Sequence, residues 1–199
     1  MASELVPPEL PASTAVVAAD HDDATRRVLD RLRSSGARCI GILVPDLEQM
    51  WVREVRAAAA AWSRSAGGDV DVVVTVVHEV PAAAELADIT RSMITLRPDL
   101  DAILCLPEGL SVGVLTALLA FGRAVPDDVQ LVSYSGSPSL AIVEPPIATV
   151  DLRPREAGVR AARLLLALLR RGAAGEVATQ ERLDLPFLER GSLRPVRTG

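Results

Sequence analysis

The chain reads as an α/β protein with a doubly wound, mostly parallel sheet flanked by helices. Three observations predict this. Strand-like segments recur at 39–44, 70–77, 102–106 and 130–133, of which 39–44 is continuously apolar and 70–77 is nearly all Val, as expected of a strand buried on both faces of a parallel sheet. Between them lie segments whose apolar residues return at helical spacing. The two kinds of segment alternate, which is the pattern of βαβ units rather than of hairpins.

Residues 1–13, MASELVPPELPAS, form a Pro-rich lead that lacks the basic start and apolar stretch of a signal peptide. The next run, 14–19, is rich in small and β-branched residues, and Asp20 to Asp23 offer caps for a helix over 24–35 that stops at Gly36. A strand at 39–44 precedes a helix over 47–66, in which Met50, Val55, Ala58 and Trp62 repeat at helical spacing. The nearly all-Val run 70–77 predicts a strand buried on both faces, followed by a helix over 82–96 that ends before Arg97-Pro98. A strand at 102–106, a helix over 108–121 and a strand at 130–133 complete a subdomain spanning 14–150. A last helix, 154–171, opens on a proline in its first turn and closes at Gly172. Its apolar side, Ala157, Ala161, Leu164, Leu165 and Leu168, requires a cover. A polar linker at 173–181 and a terminal strand at 182–188 complete a return segment spanning 151–192, before a tail of 193–199.

Composition narrows the function. With 199 residues and 49% apolar content the chain can bury a substantial core. A net charge of −5 argues against a nucleic-acid surface, which needs a clustered positive field. All 21 basic residues are Arg, and Lys and Asn are absent, a bias we attribute to a GC-rich genome rather than to chemistry. Cys39 and Cys105 each fall inside an apolar strand run and read as buried, reduced thiols. No apolar run is long enough to span a bilayer. No catalytic constellation, metal site or cofactor motif assembles. His21 and His78 lie outside any ligand motif, and the loop around Ser133, Ser135 and Ser137 has no G-x-S-x-G elbow. Asp20, Asp22 and Asp23 suit a helix start.

The order of segments from Arg97 to Asp151 carries a more specific signal. Gly113 stands within a helix, Val125-Pro126-Asp127-Asp128-Val129 follows it as a turn, and Pro145-Pro146-Ile147-Ala148-Thr149-Val150 forms a return. This stretch resembles the effector-binding domain of LacI/GalR-type transcription regulators, whose fold is that of the type I periplasmic sugar-binding proteins. The resemblance extends more weakly upstream through Asp20, Leu32, Gly36 and Ile40, and downstream through Leu185-Pro186 and Arg190-Gly191-Ser192. It covers the second half of a full regulator, without the DNA-binding helix-turn-helix. It implies a cytoplasmic, non-enzymatic homodimer that senses a small molecule, of which a sugar is one candidate. DNA is then reached only through a helix-turn-helix outside this sequence, and no membrane is involved. The alternative is a stand-alone dimerisation module that has lost small-molecule binding.

In an open α/β sheet, ligands bind beyond the carboxyl ends of the strands. The resemblance places the family's effector-binding Arg on Arg53, and a solvated helix-start Arg is the competing reading. Trp51, two residues earlier, is placed either to stack on a ring ligand or to pack in the core. Where the family has an Asn-Asp pair this chain has Pro107-Glu108, and where it has Asp after an aromatic this chain has Ser135 after Tyr134. Glu108 either replaces the Asp at longer reach or simply favours a helix N-terminus. The expected ligand-binding set is therefore Trp51, Arg53, Glu108 and Ser135. The expected dimer surface comprises the helix 111–118 and the segment 138–144, through Val112, Leu115, Ile142 and Val143, apolar side chains that one sheet face cannot all absorb.

Overall fold

Along the chain the elements run β1 (Ala15–Ala19), α1 (His21–Ser34), β2 (Cys39–Pro45), α2 (Met50–Ser65), β3 (Asp71–Val77), α3 (Ala83–Leu96), β4 (Ala102–Cys105) and α4 (Leu110–Ala120). There follow β5 (Gln130–Ser133), a 3-10 turn (Pro138–Ala141), β6 (Ala148–Val150), α5 (Pro154–Arg171), β7 (Thr179–Leu183) and β8 (Phe187–Leu188). The computed structural model describes residues 15–78, 81–107, 109–171 and 179–196. The 1–13 lead, Glu108, and most of the expected 173–181 linker lie outside the described residues.

The larger of two compact units runs from α1 to β6 and takes in β8. Its sheet has the order β3-β2-β4-β5-β6-β8, parallel except for the last pairing. All seven residues of β2 are buried. Alternate side chains of its strands face opposite layers. Cys39, Leu43, Ile103, Cys105 and Leu131 join a core with Leu86 and Met93 of α3 and Val114, Leu115 and Leu118 of α4. Ile40, Ile42 and Leu104 are equally buried on the other parity, where α1 packs with α2. Helices α3 and α4 meet closely at Gly113, where a Cβ would lie 2.5 Å from Leu86 Cδ2.

Several expected boundaries shift for local reasons. Helix α1 begins at His21, so Asp22 and Asp23 lie inside its first turn, where the dipole favours them. Helix α4 begins at Leu110 because Gly109 holds φ +80°, a left-handed conformation that suits glycine. The all-Val strand is the clear correction: β3 is the edge of the sheet, and Val74 and Val76 are exposed. The terminal strand expected at 182–188 is two strands in different sheets, β7 and β8.

The smaller unit contains β1, α5 and β7. Strands β1 and β7 pair in parallel from Ala15 and Thr179 to Ala19 and Leu183. Arg182 pairs with Asp20 at 2.8 Å, and Arg160 donates to the Arg182 carbonyl at 3.2 Å. Helix α5 packs on β1. Of the apolar side expected to need a cover, Ala157, Leu164 and Leu168 are half-buried, whereas Ala161 and Leu165 are exposed, as are Leu166 and Leu169.

One serine ties the return segment to the large sheet. Buried Ser192 donates its hydroxyl to the Leu131 carbonyl at 2.6 Å and accepts from Ala148 N at 2.9 Å. Its own N–H and C=O bond Pro146 O and Leu131 N. Ser192→Ala leaves two buried backbone groups unpaired, and an unpaired buried group costs about 1–3 kcal/mol. We expect a loss of about 2 kcal/mol or more in urea unfolding with an unchanged slope. A change within error would show that neither bond matters. The thiols give a second test. Burial pushes Cys105 up to about 12 and Cys39 up to about 11, the latter opposed by Arg97 and assisted by Asp99, Asp71 and Asp101. Thiolate is the reactive form, so native protein at about pH 8 should label only as fast as it unfolds. Rapid labelling without denaturant would contradict this burial.

Candidate functional site

Strand β2 is flanked by β3 on one side and β4 on the other, so the chain reverses its direction of winding between β2 and β4. That switch point opens a crevice at the carboxyl ends of the strands. The segments leaving it are 46–49, which lead into α2, and 106–109, which lead into α4. Tyr134 follows β5 directly, its N–H bonded to the Cys105 carbonyl of β4 at 2.8 Å.

Here three rings come together. Tyr134 and Trp51 have centroids 6.4 Å apart and planes 13° from parallel. His21, the first residue of α1, lies 5.9 Å from Tyr134 and 6.1 Å from Trp51, tilted 29° and 39°. Three rings in a column would need one separation about twice the others; these nearly equal distances form a triangle. Tyr134 is its covered member at 1% exposure, whereas His21 and Trp51 are half-buried.

The polar atoms of the trio are engaged locally. The Tyr134 hydroxyl lies 3.2 Å from His21 Nδ1 and 3.4 Å from Thr25 Oγ1, and donates to the His21 carbonyl at 3.3 Å. The Thr25 hydroxyl donates to that same carbonyl at 2.7 Å. Trp51 Nε1–H donates to Gln49 Oε1 at 2.6 Å. Trp51, the second residue of α2, lies at heptad-like spacing from the buried stripe Val55, Ala58 and Trp62.

The expected ligand residues are placed differently from one another. Trp51 joins the trio. Arg53 is exposed; two residues along a helix is a turn of about 200°, so it leaves from the opposite side to Trp51. Ser135 is half-buried, and its carbonyl accepts from Ser133 Oγ at 2.9 Å. Glu108 lies outside the described residues. Pro107 is buried at the end of β4 and offers no side-chain partner. His21 and Tyr134 were not expected in a site: 113 residues separate them, and only their positions at strand and helix ends hint at their meeting.

The expected dimer residues also divide. Leu115 is buried in the core of its own chain, and Val112 and Val143 are partly buried against it. Leu115 is thereby corrected as a surface residue, because the contact of α3 with α4 absorbs it. Ile142 is 86% exposed. Among the described residues no group of His, Cys, Asp and Glu is placed to hold a metal, and no helix is long and apolar enough to cross a membrane.

Sheet order and switch point together define an open, mostly parallel α/β domain. The chain belongs to the periplasmic binding protein-like domain family, whose model matches residues 29–193. It is 28% identical over 185 residues to the HTH-type transcriptional regulator GntR of Escherichia coli, a match covering 92% of this chain and 54% of that protein. The chain thus spans about half the length of that relative. Its fold is shared with a LacI family transcriptional regulator from Enterococcus faecium solved with bound ribose, at a TM-score of 0.78 and 17% identity over 95% of this chain and 69% of that one. A LacI family regulator from Arthrobacter sp. FB24 in complex with lactose gives a TM-score of 0.73 and 23% identity over 88% and 65%.

The Tyr134 hydroxyl gives a local test. Tyr134→Phe keeps the ring contacts and removes the bonds to His21 and Thr25. A net loss of about 1 kcal/mol is expected in denaturant unfolding, and Tyr134→Ala should cost about 3–5 kcal/mol, as for other large buried aromatics. Equal losses in the two variants would show that the hydroxyl network, not the ring packing, holds this corner.

Proposed function

We propose that this chain is the effector-binding part of a LacI-type transcription regulator: a non-enzymatic, cytoplasmic domain whose affinity for a small molecule biases its conformational equilibrium. The observation that carries this reading is the family match over both units, joined to the aromatic trio at the switch point. Operator DNA is contacted, on this reading, by a helix-turn-helix outside the present sequence, and the net charge of −5 agrees. Trp51, Arg53, Glu108 and Ser135 are the proposed ligand residues, to which the geometry adds His21 and Tyr134.

The test is a thermal-shift screen of the full chain against sugars, sugar acids, amino acids, organic acids and aromatic heterocycles. A ligand that binds only the folded state at a hundred times its Kd stabilises by about 2.7 kcal/mol, several degrees in Tm. No shift from any class would remove the effector-binding reading. Glucose, galactose and ribose themselves should bind weakly, because Pro107 and Ser135 remove two polar partners that the resemblance implies. Each such loss costs about 1.5–3 kcal/mol, or roughly ten- to a hundredfold. Micromolar binding of any of the three by calorimetry would contradict this.

A second reading, a dimerisation module without a ligand, is supported by the buried Pro107 and by exposed Ile142. Both readings include a homodimer through 111–118 and 138–144. Helix α3, packed on α4, adds exposed Leu96 and an apolar groove of about 640 Å³ between itself and β3. Because Ile142 is exposed in the single chain, Ile142→Asp should leave the fold intact and shift sedimentation from dimer towards monomer. An unchanged dimer would exclude this surface.

A further inference from the structure

We propose that the His21–Trp51–Tyr134 surface seats the flat ring of an aromatic compound rather than a polyhydroxylated sugar. The proposal rests on the effector-binding reading and names the class of ligand for that same site. The first support is the state of the polar atoms. A sugar is recognised by side chains that donate to and accept from its hydroxyls in fixed geometry. Here the Trp51 indole N–H is bonded to Gln49, and the Tyr134 hydroxyl lies within reach of His21 and Thr25. At the neighbouring strand ends Pro107 has no polar side-chain atom, and the Ser133 hydroxyl bonds the Ser135 carbonyl. With the indole N–H and the phenol engaged, the trio itself offers a ligand ring face.

The second support is the geometry of the faces. The planes lie within 13–39° of one another, and the centroids are 5.9–6.4 Å apart. A cage for a quaternary ammonium needs ring faces that converge on one point; these rings instead share nearly one orientation, His21 and Trp51 each stacked against Tyr134. Tyr134 is covered, so the surface that the trio exposes belongs to His21 and Trp51. Ring faces of one orientation match a planar π system, which stacks on them without needing a particular hydrogen-bond pattern. The network around the Tyr134 hydroxyl fixes the base on which the two outer rings rest, so little ordering is left for the ligand to impose.

The chain has two tryptophans, and Trp62 is buried with its Nε1–H on Asp30 Oδ1 at 2.7 Å. Trp62→Phe therefore makes Trp51 the sole indole reporter, and calorimetry on the unaltered chain covers the case in which that variant folds poorly. Adenine, nicotinamide and benzoate, three flat rings of different charge and polarity, are titrated separately, with ribose and galactose as the comparison. At least one flat ring should quench Trp51 emission saturably and bind more tightly than either sugar. Trp51→Ala should weaken that binding about tenfold or more, the loss typical of removing one stacking aromatic. The proposal is overturned if none of the three binds by either method, if their affinity survives Trp51→Ala, or if a sugar binds more tightly. Tight sugar binding would leave the effector-binding reading standing and remove only the flat-ring seat, whereas failure of the whole thermal-shift panel removes the reading itself.

Discussion

Everything in the larger unit depends on the double pairing of β2. It is hydrogen-bonded to β3 and β4, and none of its seven residues reaches solvent. A strand in that position has no polar side chain to offer and no tolerance for register error, because a slip of one residue would exchange its two faces. Its pattern answers both demands: Cys39, Gly41 and Leu43 face one helix pair, and Ile40, Ile42 and Val44 face the other. Gly41 is small because a Cβ there would meet Met93 Cε at 2.7 Å. The chain leaves β2 in one winding direction and returns past it in the other, which places Trp51 and Pro107 beyond the carboxyl ends of neighbouring strands.

The crevice end of the sheet contrasts with the opposite end in its use of charge. At the amino ends of β2 and β4, Asp101 accepts from Arg38 N and Cys39 N, and Arg97 pairs with Asp71 and Asp99, holding the Asp99 carboxyl below the usual range. These pairs are exposed or partly exposed and contribute little individually to stability; they satisfy strand-end backbone and set register. At the carboxyl ends the corresponding positions carry Pro107, Ser133, Tyr134 and Ser135, and the interactions are ring contacts and short-range hydrogen bonds. Among the described residues, the charged anchoring of Arg38, Arg97 and Asp101 thus lies at the amino ends of these strands, and the rings meet at the other.

What sequence makes legible here follows from range. Helices set by a period within one segment, such as α3 and α5, are readable to within a residue. So is β5, bounded by its own composition. The error at β3 has a physical origin: a run of Val specifies an extended, β-branched segment, but whether its two faces are covered depends on strands elsewhere in the chain. Strand β6 escapes notice, and β8 merges with β7 into one terminal strand, because three and two residues carry no period and are defined by their partners, β6 by β5 and β8 and β8 by β6. The aromatic trio is hidden for the same reason. Trp51 could be proposed from its place at a helix start, whereas Tyr134 and His21 acquire meaning only when α1 and β5 meet.

The departures from the family pattern are best weighed by what each removes. Replacing a buried hydrogen-bonding side chain by proline deletes both a donor and an acceptor, and no neighbouring residue can restore them without moving backbone. A fold held by β2 does not allow that movement, since Leu106 N bonds the Leu43 carbonyl at 2.9 Å and Tyr134 N bonds that of Cys105. The backbone at Leu106 and Tyr134 is therefore held by the sheet, while the side chains beside it depart from the pattern that the resemblance implies. Fold and site consequently carry separate information: the backbone that defines the family is set by sheet pairing, and the side chains at its strand ends define a surface of a different character.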